Sequence, residues 1–239
     1  MKKHVMVLGL YMLIMGAGLA VCNTFFGTTY ASENFSEKFL PVMFLLAALA
    51  TCYRWKNRDA LSLPTENRPG YLWAAVTILP ILGLGLYAAA TNFSVSTTFF
   101  IALLDVVLIG IAEEGMYRGI LLGGLVKKIN PAAAIIVSAA CFSLLHALNF
   151  LGGMSSGEVF NQMGSTFLMG LFLGAIYLET KKLYLPILFH SAWDYILLSG
   201  AISDSSVLIV FLMGVSLAEL VVSIILLLKF RKMKTPVLR

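Results

Sequence analysis

Long apolar runs separated by short polar stretches dominate the pattern of hydrophobic and polar positions along the chain. A helix needs about 20 predominantly apolar residues to cross the hydrocarbon core of a bilayer, and lengths of about 17 to 25 are usual. The runs therefore predict eight membrane-spanning helices, and the predicted fold class is an all-α polytopic membrane helical bundle. The predicted spans are 5–26, 39–53, 71–90, 98–125, 131–149, 163–180, 183–199 and 206–228.

The connections between the predicted spans alternate in charge. All of the 17 Lys and Arg residues except Lys38 and Arg118 lie at the N-terminus, in every second connection or in the C-terminal tail. These basic residues are Lys2, Lys3, Arg54, Lys56, Arg58, Arg68, Lys127, Lys128, Lys181, Lys182, Lys229, Arg231, Lys232, Lys234 and Arg239. The other connections carry the acidic residues Glu33, Glu37, Glu158 and Asp204. By the positive-inside rule, both termini and the loop 54–70 are predicted to be cytoplasmic.

The composition supports a membrane protein without a soluble domain. Of 239 residues, 59% are hydrophobic and 12% are charged, with a mean hydropathy of +0.90. An average soluble domain has about twice this charge density. We therefore expect residues 1–239 to form a single integral membrane domain, in a multi-pass protein of a bacterial plasma membrane.

The net charge of +5 and the three cysteines bear on whether the protein binds nucleic acid, forms disulfides or holds a metal through thiolates. The basic residues lie at span ends, where they set orientation, so nucleic acid is not expected as a partner. Cys22, Cys52 and Cys141 are isolated within apolar runs, which indicates neither a disulfide framework nor a thiolate metal site.

The first span has a second interpretation as a signal peptide, because MKKH followed by an apolar run resembles a basic segment with a hydrophobic core. The apolar run is long for a signal peptide, and no clear small-residue cleavage site follows it. We therefore expect the first span to be retained.

The fourth span contains the sequence EEGMYRG, residues 113–119. A charged side chain at the bilayer centre costs about 2.5–3.5 kcal/mol on insertion scales, so these side chains must face protein or trapped water. Glu114 and Arg118 share a helix face at i and i+4 and can form an ion pair that locks the bundle. Glu113 points away from Arg118 and is free for another role.

Two further spans carry histidines in the membrane region. FSLLH places Phe142 and His146 one turn apart in the fifth span, and HSAWD places His190 and Asp194 one turn apart in the seventh. A lone buried histidine is more often a hydrogen-bonded core residue, and Phe142 is expected to be a packing residue. Two histidines accompanied by Glu113 favour a functional site. Asp105 and Glu219 also lie within predicted spans, but neither belongs to a motif of paired charged or histidine residues.

The depth of these residues suggests where they meet. With a rise of 1.5 Å per residue, Glu113, His146 and His190 lie about 20, 22 and 10 Å from the cytoplasmic ends of their spans. We expect them to converge in a polar, water-bearing cavity.

The ordered set EExxxR, FxxxH and HxxxD on three apolar helices resembles the family of CAAX proteases and bacteriocin-processing enzymes, the Abi-like group that includes prenyl endopeptidases. Glu113, Glu114 and Arg118 match its first motif, Phe142 and His146 its second, and His190 with Asp194 its third. The resemblance implies that residues 98–199 form the catalytic core. It also implies that Glu113 and His146 activate a water for attack on a peptide bond, with His190 and Asp194 assisting.

The resemblance leaves the cofactor and the role of Asp194 open. Glu113, His146 and His190 match the two-histidine, one-carboxylate ligand set of several zinc hydrolases, so Zn²⁺ is a possible cofactor, but the same residues suffice for metal-free catalysis. The prenyl endopeptidases have Asn at the position of Asp194. Asp194 must therefore be protonated, orient His190 or bind a cation.

The predicted function is an intramembrane endopeptidase that hydrolyses a membrane-embedded or membrane-bound peptide or protein. The alternatives are a transporter or proton-relay protein, or a catalytically silent immunity or scaffold protein of the same fold. GMSSG at 153–157 fits GxSxG but lies in a polar loop without the strand–turn–helix that a nucleophile elbow needs. GMYRG at 115–119 and GLFLG at 170–174 predict close helix packing.

Overall fold

A computed structural model describes residues 1–63, 69–198 and 206–233 of the chain. Four charged residues used in the orientation argument, Arg68, Asp204, Lys234 and Arg239, lie outside the described residues, as does position 199 of the seventh predicted span. No strand occurs in the described residues, which confirms the predicted all-α class.

The helices follow one another with short connections. They are α1 (Lys2–Phe25), α2 (Phe35–Lys56), the short α3 (Arg58–Leu61), α4 (Leu72–Thr91), α5 (Thr97–Glu114), a π-helical segment (Gly115–Leu122), α6 (Gly123–Leu125), α7 (Pro131–Leu145), a 3₁₀ turn (His146–Phe150), α8 (Ser156–Thr180), α9 (Tyr184–Leu198) and α10 (Ser206–Arg231). Because α5, the π-helical segment and α6 are continuous, they form one helical rod with a change of winding in the middle.

Each predicted span coincides with a helix. Within the described residues, six helical stretches are long and apolar enough to cross a membrane: α1, α2, α4, α7 with its 3₁₀ turn, α8 and α10. Of the other two predicted spans, the rod 97–125 contains four charged residues, and α9 comprises 15 described residues. The count of eight spans and the cytoplasmic location of the termini therefore stay predictions.

Helices α2 and α8 extend several residues beyond their predicted spans. Helix α2 has 22 residues and extends beyond both ends of the predicted span 39–53. Helix α8 has 25 residues and begins at Ser156, well before the predicted start at 163. Ser155 is its N-cap, and the carboxylate of Glu158 accepts a hydrogen bond from the Ser155 backbone N–H at 2.9 Å. The capping box satisfies helix-end N–H groups and starts the helix early. The serine of GMSSG therefore has a capping role.

Glycine pairs bring helices close together at two places. A Cβ atom at Gly170 would lie 2.9 Å from the Cβ of Ala139, and one at Gly174 would lie 3.2 Å from Cγ2 of Ile135, so GLFLG packs directly on α7. A Cβ atom at Gly115 would lie 3.2 Å from the Cβ of Ala50 on α2. The predicted packing role of both GxxxG sequences is confirmed.

The rod 97–125 occupies the centre of the bundle. Helix α5 packs between α2 and α9, α4 packs on α9, and α10 packs against α8 and α7. The π-helical segment is buried throughout its length and contacts α1, α2, α7 and α8. The charged residues of EEGMYRG are therefore enclosed by other helices and do not face lipid.

Helix α1 is an integral part of this arrangement. It packs against α2, the π-helical segment and the 3₁₀ turn after α7. In the connection that follows α1, the backbone N–H of Tyr30 donates to the carbonyl oxygen of Gly152 at 2.8 Å. That the first helix is retained in the mature protein stays a prediction.

Candidate active site

The π-helical segment begins directly after the two adjacent glutamates. Helix α5 ends at Glu114, and the wider winding runs from Gly115 to Leu122. Single π-helical turns inside α-helices occur frequently at functional sites, because the change in winding redirects side chains. This segment carries Tyr117 and Arg118 and follows Glu113 and Glu114 directly.

Glu114 and Arg118 form the ion pair that the spacing predicts. Nη1 of Arg118 donates to Oε1 of Glu114 at 2.8 Å, and both side chains are fully buried. The guanidinium also lies over the ring of Phe142, with Cζ 4.3 Å from the ring centroid. A charge in the apolar interior needs such compensation, because its transfer from water is strongly unfavourable when it is unpaired.

Glu114 has a second partner that the spacing does not reveal. Oε1 of Glu114 also lies 2.8 Å from Nδ1 of His190, which reaches it from α9. A carboxylate paired with Arg118 can only accept hydrogen bonds, so Nδ1 of His190 carries the proton in this contact. Glu114 therefore fixes the orientation of the His190 ring as well as the position of Arg118.

The other nitrogen of His190 faces the remaining two carboxyl groups. Nε2 of His190 lies 3.4 Å from Oδ2 of Asp194 and 3.7 Å from Oε2 of Glu113. These separations are longer than a usual N–H···O hydrogen bond, but they lie within ion-pair range. His190 thus connects Glu113, Glu114 and Asp194.

His146 lies at the first position of the 3₁₀ turn that follows α7. Its ring packs on the ring of Phe142, with centroids 5.2 Å apart, and the Phe142 ring also contacts His190 at 5.8 Å. The Nε2 atom of His146 is buried and has no hydrogen-bond partner among the described residues. It is thereby left available to a group that enters the site.

Phe142 is a packing residue, as predicted, but the groups around it are those of the site. Its ring contacts Tyr117, Arg118, His146 and His190, and the residue is fully buried. One aromatic ring therefore sets the relative positions of both histidines and the arginine.

The predicted metal ligands are not gathered into a metal-binding group. Among the residues that the structure describes, no set of three or more His, Cys, Asp and Glu side chains is placed to hold a metal ion. Whether Glu113, His146 and His190 hold Zn²⁺ in the active protein stays a prediction.

The two other intramembrane acids have separate surroundings. Asp105 lies on α5, two turns before Glu113, and is buried with Oδ1 unpaired among the described residues. Glu219 lies on α10, which packs on α8, α7 and α4, and is also buried. Among the described residues, neither acid has a hydrogen bond or ion pair with His190, so the groups bonded to His190 are those of the sequence motifs.

The fold and the site together define the class: a polytopic helical membrane protein with paired carboxylates and histidines buried between three of its helices. Residues 95–196 match the family model described as Rce1-like, type II CAAX prenyl endopeptidase. The resemblance indicated by the motifs is confirmed over this segment, and it supports a CAAX-type intramembrane protease in general. The comparison with curated proteins found no match.

Proposed function

We propose that this protein is an intramembrane endopeptidase in which Glu113 and His146 activate a water molecule for attack on a peptide bond. The observation that carries the proposal is the contact set of His190. Its Nδ1 is held by Glu114 at 2.8 Å while its Nε2 faces Glu113 and Asp194. An ion pair that only held the helices together would need no more than Glu114 and Arg118. The further contacts of His190 therefore support a role beyond packing.

The proposed reaction begins with Glu113 as general base. Its carboxylate accepts a proton from water, and the water oxygen bonds to the carbonyl carbon of the substrate peptide. The carbonyl π electrons move to oxygen and form a tetrahedral oxyanion. Collapse of this oxyanion breaks the C–N bond, and the proton is delivered to the leaving amine by Glu113, with His146 assisting.

His190 and Asp194 stabilise the oxyanion in this proposal. When the His190 ring is protonated on both nitrogens, Nδ1 donates to Glu114 and Nε2 is free to donate to the substrate oxygen. Preorganised donors of this kind contribute strongly to catalysis because they do not reorganise during the reaction. The fixed ring orientation is what makes His190 suited to the role.

The substrate class follows from the location of the site. The catalytic groups are enclosed by membrane-spanning helices, so the peptide must reach them from the bilayer or its surface. We propose a membrane-embedded or membrane-bound peptide or protein, and the family match makes prenylated peptides with a C-terminal CAAX sequence the first probes to use.

The test is cleavage by purified protein in lipid nanodiscs. Glu113→Gln keeps the size and polarity of the side chain and removes the base, so we expect turnover of the probe peptides to fall at least about 100-fold. The folded yield should be unchanged. Glu219→Gln is the matched control, because it changes a buried intramembrane glutamate outside the site, and it should cleave normally. Normal cleavage by Glu113→Gln would remove Glu113 from the mechanism.

Metal analysis decides between the two proposed forms of the peptidase. Because a carboxylate base and imidazole donors suffice for metal-free activation of water, we expect dialysis against a chelator to leave activity intact with substoichiometric metal in the preparation. Loss of activity that returns when Zn²⁺ is added back would establish the metal-dependent form. Glu113→Gln provides the background rate for this assay.

A further inference from the structure

Two tyrosine hydroxyls are buried beside the candidate active site without a hydrogen-bond partner. Tyr11 on α1 and Tyr117 in the π-helical segment are both completely buried. Neither hydroxyl oxygen has a partner among the described residues. Buried tyrosine hydroxyls usually find one, because an unpaired polar group in an apolar interior is unfavourable. Two such hydroxyls on neighbouring rings therefore call for an explanation other than packing.

The two rings form one unit with the site. Tyr11 and Tyr117 meet edge to face with ring centroids 6.2 Å apart, and Tyr117 packs on Phe142 at 5.3 Å. Tyr117 follows Glu113 by four residues in the same continuous helical rod. Tyr117 thus connects α1 to the ring that also contacts His146 and His190.

We propose that Tyr11 and Tyr117 are water-positioning residues of the active site, donating hydrogen bonds from their hydroxyls to the water that Glu113 activates. The proposal rests on the proposed function of Glu113. It adds a residue from α1, outside the segment 95–196 that matches the protease family, to the catalytic machinery.

The chemistry of the side chain supports this role. Phenylalanine would supply the same ring contacts without placing an unpaired hydroxyl in the interior. A phenol also remains neutral next to a carboxylate and can donate a hydrogen bond to a water oxygen, which leaves a water proton free to point toward Glu113. The hydroxyls and Glu113 then hold the same water from different sides.

The primary test is removal of each hydroxyl. Tyr11→Phe and Tyr117→Phe should each lower kcat about tenfold, the loss expected for one hydrogen bond made to the reacting water. KM should stay within about twofold of wild type, because the water is not part of the substrate. The melting temperature should be unchanged or raised, because the lost hydroxyl has no protein partner. Tyr53→Phe is the matched control: it removes a hydroxyl bonded to His4 Nδ1 at 2.9 Å, so it should leave kcat unchanged.

A second readout is independent of peptidase activity. The infrared carboxyl band of Glu113, identified by its loss in Glu113→Gln, should shift in Tyr11→Phe and Tyr117→Phe and stay in place in Tyr53→Phe. If no probe peptide is cleaved by the wild type, the proposed function fails, but a band shift still supports the placement of the hydroxyls. Normal kcat, or an unmoved band in both variants, would overturn the proposal.

Discussion

Glu114 uses a single oxygen atom to hold both Arg118 and His190. Removing one partner of a buried ion pair leaves an uncompensated charge in an apolar interior. At the scale of individual residues, the consequences of a substitution here are therefore set by what remains buried, more than by the contact that is lost.

Arg118→Ala should destabilise the protein by about 3–5 kcal/mol, because Glu114 then loses its cation in a fully buried position. Thermal unfolding and folded yield in detergent measure the effect. The matched control is Lys229→Ala, which breaks an ion pair of 2.6 Å between Lys229 and Glu179 whose lysine side chain is half exposed. Exposed pairs contribute about 0–1 kcal/mol, so the control should be nearly neutral. Equal stability of the two variants would show that Glu114 is not charged in the folded protein.

Asp194→Asn tests the role of the third carboxyl group. Because Glu114 already orients His190 through Nδ1, orientation by Asp194 is unnecessary, and we expect Asp194 to act as a hydrogen-bond donor toward the oxyanion. Asparagine retains a donor at this position, so Asp194→Asn should keep kcat/KM within a few-fold of wild type. Asp194→Leu removes the donor and should lose about 100-fold or more. Collapse of activity in a well-folded Asp194→Asn protein would instead assign an ionic role to this carboxyl group.

At the scale of helices, the close contact between α7 and α8 depends on the absence of a side chain. Gly170→Ala would place a Cβ atom 2.9 Å from the Cβ and 3.0 Å from the Cα of Ala139, so the two helices must separate. We expect a loss of about 1–3 kcal/mol and a lower melting temperature. Gly164→Ala on the same helix meets no atom within 4 Å, and it should be neutral or slightly stabilising. A Gly170→Ala protein as stable as Gly164→Ala would contradict the packing described here.

The helices themselves were predictable from the sequence, and their finer form was not. Apolar runs separated by short polar connections located the long helices, because hydropathy reports directly on the length of chain that lipid can cover. The winding change at Gly115 has no such signal, since it depends on how the segment packs against α1, α2, α7 and α8. The early start of α8 had a sequence signal in Ser155 and Glu158 that the hydropathy pattern concealed.

At the scale of the whole molecule, the orientation in the membrane is the prediction that most needs a measurement. Glu33 and Lys56 lie near opposite ends of α2 in exposed positions, and each is to be replaced by a single cysteine. In a background with Cys22, Cys52 and Cys141 replaced by Ala, an impermeant thiol reagent added to intact cells should label position 33 and spare position 56. Labelling of both positions after membrane disruption is the control. Equal labelling in intact cells would refute the predicted topology.

The sequence identified the residues of the candidate site, but it did not predict the contacts between them. Charged residues in apolar spans are rare enough that Glu113, Glu114, Arg118, His190 and Asp194 could be identified from their positions alone. The contact between Glu114 and His190 joins helices that are distant in sequence, and no spacing encodes it. Tyr11, which we propose as a water-positioning residue, has no signal in the sequence, because a tyrosine within an apolar run has the same appearance as any other packing residue.

The two contacts of Glu114, with Arg118 and with His190, become possible at different times during synthesis of the chain. Arg118 follows Glu114 by four residues, so their ion pair can form as soon as this helix leaves the ribosome, while His190 is 76 residues further along. At about 5–20 residues per second, His190 is synthesised about 4–15 s later. During that interval Arg118 alone neutralises Glu114, and the pair lowers the cost of placing the helix in lipid. A chain without Arg118 would thus insert this helix with Glu114 uncompensated until His190 arrives, and a lower folded yield should be the first effect, before any question of catalysis arises.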